Sequence, residues 1–170
     1  MTIIITTERL NLRTITPDDA AFYLALVNDP AFIKNIRDKG IRTLEEARTD
    51  IINGPMANQE KIGFSLYLME RKEDGQAIGL CGLVKRETLK NVDIGYALLP
   101  QFIGQGYARE AARATLEYAN QHLRITRLAG ITSPANGPSN QLLQDLGFQL
   151  EAVVVLAGES RDTNLYGYEF

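Results

Sequence analysis

The chain has 170 residues and a mass of 18.9 kDa, with 45% hydrophobic and 23% charged residues, which is the size and balance of one globular domain spanning 1–170. A formal net charge of −3 and a pI near 5.3 exclude a general nucleic-acid binder, which needs a basic footprint for phosphate. The single cysteine, Cys81, excludes an intrachain disulfide, and with His122 as the one histidine there is no Cys/His cluster for zinc, so no metal centre is expected.

The opening "MTIIITTERLNLR" lacks the basic start and long apolar stretch of a secretory signal. No run approaches the roughly 20 apolar residues of a membrane span. The expectation is a cytoplasmic protein, monomeric or homodimeric, with no membrane partner. Leu10 and Leu12 alternate with polar neighbours between Arg9 and Arg13, the pattern of a half-buried strand. A helix follows: Thr16 as cap, Pro17 at its first position, Asp18 and Asp19 against the dipole, and Phe22, Tyr23, Leu26 and Val27 facing inward. Pro30 is expected to end it. "IKNIRDKGIR" then reads as a basic loop, and "TLEE" opens a second helix with Thr43 and Glu46 at capping-box spacing, closed by "NGP" at Asn53 to Pro55.

Alternation from Ile62 to Met69 predicts a strand, and "EDGQ" supplies an Asp-Gly turn into a second strand, "AIGLCGLV". A third strand from Val92 to Leu99 runs into Pro100 and the stretch "QFIGQGYA". From Tyr107 the period becomes helical, with Ala108, Ala111, Ala112, Leu116, Ala119 and Leu123 on one stripe. "TRLAGITS" reads as a strand, "NGPSNQLLQDLGF" as a short helix stopped at Gly147, and two strands around Phe148 to Leu156 and Asn164 to Glu169 close the chain. The fold class is therefore α/β, with a mixed, mostly antiparallel sheet flanked by helices and one βαβ step after the glycines.

Gly104 and Gly106 sit where a strand hands over to a helix, a place where free N–H groups converge and the helix dipole favours an anion. Glycine there allows positive φ and close approach of a pyrophosphate; a tight turn that binds nothing is the alternative. A phosphate-binding P-loop needs Gly-Lys-Ser/Thr, and Tyr107 and Ala108 follow Gly106 instead. A dinucleotide fingerprint needs a third small residue where Arg109 stands. If an anion sits here, the main chain must hold it without a lysine or a metal.

Gln101, Phe102, Ile103, Gly104, Gln105, Gly106, Tyr107 and Ala108 match a Q/R-x-x-G-x-G/A signature, and this stretch resembles the GNAT superfamily of N-acetyltransferases. "TERLNLRTITPDDA", "DIGYAL" and "NGPSNQLLQDLGF" are similar, in the same order, to segments of the branch that includes ribosomal-protein N-terminal alanine acetyltransferases. The resemblance implies a V-shaped splay between central strands, with Ala97, Leu98 and Leu99 pairing with the pantetheine arm of acetyl-CoA. It implies pyrophosphate binding by the amides from Gln101 to Ala108, with Asn136, Ser139 and Asn140 near the cofactor. Asn136 is equally suited to cap its helix.

Attack of an amine on a thioester needs help removing one proton and returning another to the thiolate. The resemblance implies Asp93 as a base, with the alternative of a solvated strand-edge carboxylate. Ser139 is implied as the proton donor, with the alternative of a serine bonded only to backbone. Glu159 falls near an acidic residue of the relatives' closing hairpin, or is a solvated turn residue. The tyrosine used by other branches is replaced by Leu143.

The expected reaction is direct transfer to a primary amine. A protein or peptide N-terminus leads, because an α-amino group loses its proton at pH 7 more easily than a lysine, by roughly 3 kcal/mol. Small-molecule amines (polyamine, amino sugar, amino acid) and a non-catalytic acyl-CoA-binding module are the alternatives. Lys34, Arg37, Lys39 and Arg42 favour an acidic acceptor or form a solvated loop.

Overall fold

The structure is a computed structural model that describes residues 1–170. Its strands are β1 (Ile3–Thr6), β2 (Leu10–Arg13), β3 (Leu66–Arg71), β4 (Ala77–Val84), β5 (Asp93–Leu98), β6 (Arg127–Thr132), β7 (Gln149–Val154) and β8 (Thr163–Glu169). Its helices are α1 (Ala20–Val27), α2 (Pro30–Asn35), α3 (Leu44–Ile51), α4 (Ala57–Ile62), α5 (Tyr107–Gln121) and α6 (Gly137–Asp145). One sheet carries all the strands in the order β1-β2-β3-β4-β5-β6-β8-β7. Every neighbouring pair is antiparallel except β5 with β6, the βαβ step expected around the glycines. No helix is long and apolar enough to cross a membrane.

Each face of the sheet has its own core. Tyr67, Met69, Cys81 and Ile94 meet Ala111, Ala112, Leu116 and Ala119 of α5 together with Leu142 and Leu143 of α6. The alanine stripe lets α5 lie close to the strands. On the opposite face, Leu68 and Leu80 pack with Tyr23, Leu26 and Val27 of α1 and with Ala47 and Ile51 of α3. β4 is buried on both faces, which explains its unbroken apolar reading.

The structure departs from the sequence reading in three places. Pro30 both ends α1 and opens α2, because Asp29 accepts from the N–H groups of Ala31 at 3.1 Å and Phe32 at 3.4 Å; the first three residues of the expected basic loop, Ile33 to Asn35, are thereby helical. Pro55 does not end the second helix. A wider π-helical turn over Ile52–Met56 absorbs it, and the helix continues as α4 until Gly63 caps it at φ 83°. The strand expected from Ile62 consequently begins at Leu66. Finally, Ile3–Thr6 forms an edge strand beside β2 that the short apolar run did not announce.

The splay expected between central strands is visible in the register. β5 pairs with β4 along its whole length, from Asp93 opposite Val84 to Leu98 opposite Gly79. It pairs with β6 only at Asp93 and Ile94. Beyond Ile94 the two strands diverge, and the β6-facing edge of β5 is open.

Candidate active site

The open edge leads directly to the glycine loop. Leu99 donates its N–H to Ile78 O at 2.9 Å, which fixes the alternation of the β4–β5 ladder. The main-chain groups of Asp93, Gly95 and Ala97 accordingly turn toward β4, and those of Tyr96 and Leu98 turn toward the gap. Of the three residues expected along the pantetheine arm, Leu98 therefore turns its backbone toward the gap, whereas Ala97 turns its own toward β4 and Leu99 gives its N–H to Ile78 O and its carbonyl to Phe102 N–H.

After a 3-10 turn at Pro100–Phe102 the chain passes through Gly104 (φ 82°) and Gly106 (φ 83°) into α5. Both glycines occupy the left-handed region that side chains resist. Six consecutive amides, from Gly104 through Arg109, donate to no group of the protein, whereas Phe102 and Ile103 N–H are taken by Leu99 O and Pro100 O. Free amides converging at a helix N-terminus favour an anion, and donors in this arrangement suit a pyrophosphate. Phe102 and Tyr107 are buried and pack edge to face at 6.5 Å, anchoring the loop from below, while Ile103 is exposed. The Gln105 side chain donates to Gln101 O at 3.0 Å and so closes the loop on itself.

Asp93 is not the solvated edge carboxylate that one sequence reading allowed. It is 1% exposed, and the Arg86 Nε lies 3.1 Å from its Oδ1. Burial pushes its pKa up to about 6 against the opposing pull of Arg86. By strand alternation it shares a face with Gly95 and Ala97, the face covered by α1 and α3.

Tyr96 points to the other face, among the residues that pack with α5 and α6. Its hydroxyl lies 2.8 Å from Ser139 Oγ and 3.3 Å from Ser139 O. Burial pushes the Tyr96 phenol up to about 12, so it keeps its proton at neutral pH even though the Ser139 bond pulls the other way. Asn136 caps α6 by accepting from Ser139 N–H at 3.3 Å. A buried carboxylate and a pair of bonded hydroxyls thus lie on opposite faces of one strand, at the point where it parts from β6.

The two other candidates, Asn140 and Glu159, are held as follows. Asn140 was expected beside the cofactor, but its side chain is fully engaged within the fold. Its Oδ1 accepts from Thr132, Asn164 and Tyr166, and its Nδ2 donates to Asn136 O at 2.8 Å and Ser133 O at 3.2 Å. Glu159 is exposed in the β7–β8 turn, where its N–H bonds to Leu156 O at 2.9 Å; no hydrogen bond or ion pair joins its carboxylate to Asp93 or Ser139. In the acceptor-side loop, Lys39 pairs with Asp50 at 3.1 Å and Arg42 with Asp38 at 2.7 Å, leaving Lys34 and Arg37 without carboxylate partners. Arg161 donates to Lys34 O at 3.3 Å, tying the β7–β8 turn to α2.

Sequence reasoning missed Tyr96 and Arg9. Tyr96 was visible only as the tyrosine of "DIGYAL", and its partner lies 43 positions away. Arg9, read as the start of a strand, donates Nη1 to Gln105 O in the glycine loop at 3.0 Å.

The family model for the acetyltransferase (GNAT) domain matches residues 9–149. The uncharacterized N-acetyltransferase YoaA of Bacillus subtilis (strain 168) is 29% identical over 168 residues, covering 96% of this chain and 94% of its own. The uncharacterized N-acetyltransferase p20 of Bacillus licheniformis is 31% identical over 152 residues, covering 87% and 83%. Among solved structures, RimL, a ribosomal L7/L12 alpha-N-protein acetyltransferase in complex with coenzyme A, shares the fold with a TM-score of 0.83 at 22% identity, over 99% of this chain and 98% of that one. The matched segment takes in β5, the free amides and all of α5 without interruption, and the chain accordingly belongs to the GNAT family: it is an N-acetyltransferase whose donor is acetyl-CoA.

Proposed function

We propose that the acceptor is the α-amino group of a protein or peptide, with Asp93 as general base and the Ser139–Tyr96 hydroxyl pair as proton donor. The environment of Asp93 carries the reading. A carboxylate pushed up to about 6 lies much nearer to an α-amino group near 8, a proton transfer uphill by about 2 to 3 kcal/mol. Against a lysine near 10.4 the same step is uphill by about 6 kcal/mol. The first is a gap that general-base catalysis spans readily, and the second leaves much more for the enzyme to supply. RimL is named for acetylation of a protein α-amino group, and its shared fold supports the same acceptor class.

In this reading the Gly104–Arg109 amides hold the pyrophosphate, and the Tyr96 and Leu98 main chain pairs with the pantetheine arm. Asp93 draws the proton from the acceptor amine on the α1–α3 face, directly or through one water. Ser139, hydrogen-bonded to Tyr96, returns a proton to the departing sulfur on the α6 face. Separating the base and the acid across the strand keeps them from exchanging their proton directly.

A competition assay tests the acceptor. The enzyme is given acetyl-CoA with peptides bearing free N-termini, N-blocked lysine peptides, spermidine, glucosamine and free amino acids, and products are read by mass spectrometry. Acetylation of free-N-terminus peptides in preference to all others is the expected result. A preference for spermidine, glucosamine or an amino acid overturns the peptide assignment, and no product on any acceptor overturns the assigned acid and base.

A further inference from the structure

The turn between β1 and β2 is held against the start of α5, about a hundred positions along the chain. Glu110 organises the contact: its carboxylate accepts from the Thr7 hydroxyl at 2.6 Å, from Arg9 N–H at 2.9 Å and from Arg9 Nε at 2.7 Å. With Nε fixed in this way, the Arg9 guanidinium lies over the Tyr107 ring, 4.2 Å from its centroid. It then reaches the loop itself, donating Nη1 to Gln105 O at 3.0 Å. Its Nη2 lies so close to Gly106 that a Cβ there would stand 3.3 Å away.

Peptide geometry turns this contact into a statement about ligand binding. In a trans peptide the C=O of one residue and the N–H of the next point in opposite directions. Arg9 draws the Gln105 carbonyl toward the β1–β2 turn, so the Gly106 N–H of the same plane is aimed away from it, into the run of free amides. Gly104 and Gly106 flank Gln105, and glycine resists rotation of a neighbouring peptide plane less than any other residue. The Gln105 and Gly106 N–H groups have no acceptor within the protein to hold the plane from the other side.

We propose that Arg9 is a positioning residue for the donor, locking the Gln105–Gly106 peptide so that the Gly106 N–H faces the pyrophosphate of acetyl-CoA. The proposal rests on the assignment of the loop as the pyrophosphate site. The effect is one of geometry rather than charge, because Glu110 already compensates the guanidinium. A planar fork engages Glu110, Tyr107 and Gln105 at once, which a lysine ammonium cannot do.

The test uses the full chain as Arg9→Met and Arg9→Lys. Calorimetry gives the Kd for CoA, and steady-state kinetics compare acetyl-CoA with acetyl-pantetheine, a donor that lacks the pyrophosphate. Both variants should bind CoA roughly 5- to 30-fold more weakly, with KM for acetyl-CoA rising in parallel. Their kcat/KM with acetyl-pantetheine should match that of the parent. Wild-type CoA affinity in Arg9→Lys overturns the proposal, as does an equal loss with the truncated donor, which would assign Arg9 to the fold alone. If Arg9→Met does not fold, Arg9→Lys decides by itself. Failure of the unsubstituted chain to bind CoA would instead sink the loop assignment.

Discussion

Replacing Asp93 with asparagine separates what this carboxylate does for chemistry from what it costs the fold. Burial raises its pKa from an ordinary 3.8 to about 6, despite Arg86 at 3.1 Å. Between those two values the native state binds more protons than the unfolded chain, so this group's contribution is fully present at low pH and is lost as pH rises through 6. A carboxyl that titrates near 6 folded and near 3.8 unfolded costs the fold about 3 kcal/mol at pH 8. Asparagine has the shape of the neutral acid and carries no charge. Arg86 is 40% exposed, and water can solvate it once its partner is neutral. Asp93→Asn should therefore melt about 6 to 12 °C higher than the parent at pH 8, with the gap closing by pH 4. Acetyl transfer by the same variant should fall by roughly 100-fold or more. Differential scanning calorimetry at several pH values reads the first effect and a thiol-release assay the second. A variant less stable than the parent at pH 8 would refute the reasoning, since it would mean that Arg86 outweighs burial and leaves Asp93 too weak a base.

Gly106→Val should abolish CoA binding by calorimetry with circular dichroism unchanged, since a β-branched residue at φ 83° displaces the loop locally; retained binding would contradict the cradle. Tyr96→Phe keeps the packed ring but removes the hydroxyl 2.8 Å from Ser139, and both it and Ser139→Ala should lower kcat roughly 10- to 100-fold with little change in donor KM. The double variant should be no worse than the poorer single one, and additive losses would assign the two hydroxyls separate roles. Asn140→Ala should destabilise the fold by about 3 kcal/mol in urea, because the donors on Thr132, Asn164 and Tyr166 lose their common acceptor. Parent-like stability would leave that side chain available for the cofactor.

The parts of the fold legible in sequence are those set by local chemistry. The Asp74-Gly75 turn, the alanine stripe of α5 and the glycines ahead of it each follow from neighbours a few positions apart, and together they placed the βαβ step. Pro55 misled because its cost was absorbed by a π-helical turn, which depends on how the surrounding helix packs. Asp93 was legible as a candidate but not as a buried one, since its burial comes from the sheet and from Arg86 on the preceding connection. Tyr96 with Ser139 and Arg9 with Gln105 meet only after the chain has folded, 43 and 96 positions apart. Asn140 shows the converse: a residue placed by resemblance near the cofactor is tied by tertiary contacts into the frame that supports α6.

The measurement that tests the central claim most directly is the pH dependence of kcat/KM for acetylation of a peptide bearing a free N-terminus, compared between the parent and Asp93→Asn. The account predicts an acidic limb in the parent that rises through pH 6 as Asp93 ionises, and its loss in the variant along with most of the activity. An unchanged acidic limb in Asp93→Asn would show that another group removes the proton and would contradict the assignment of Asp93.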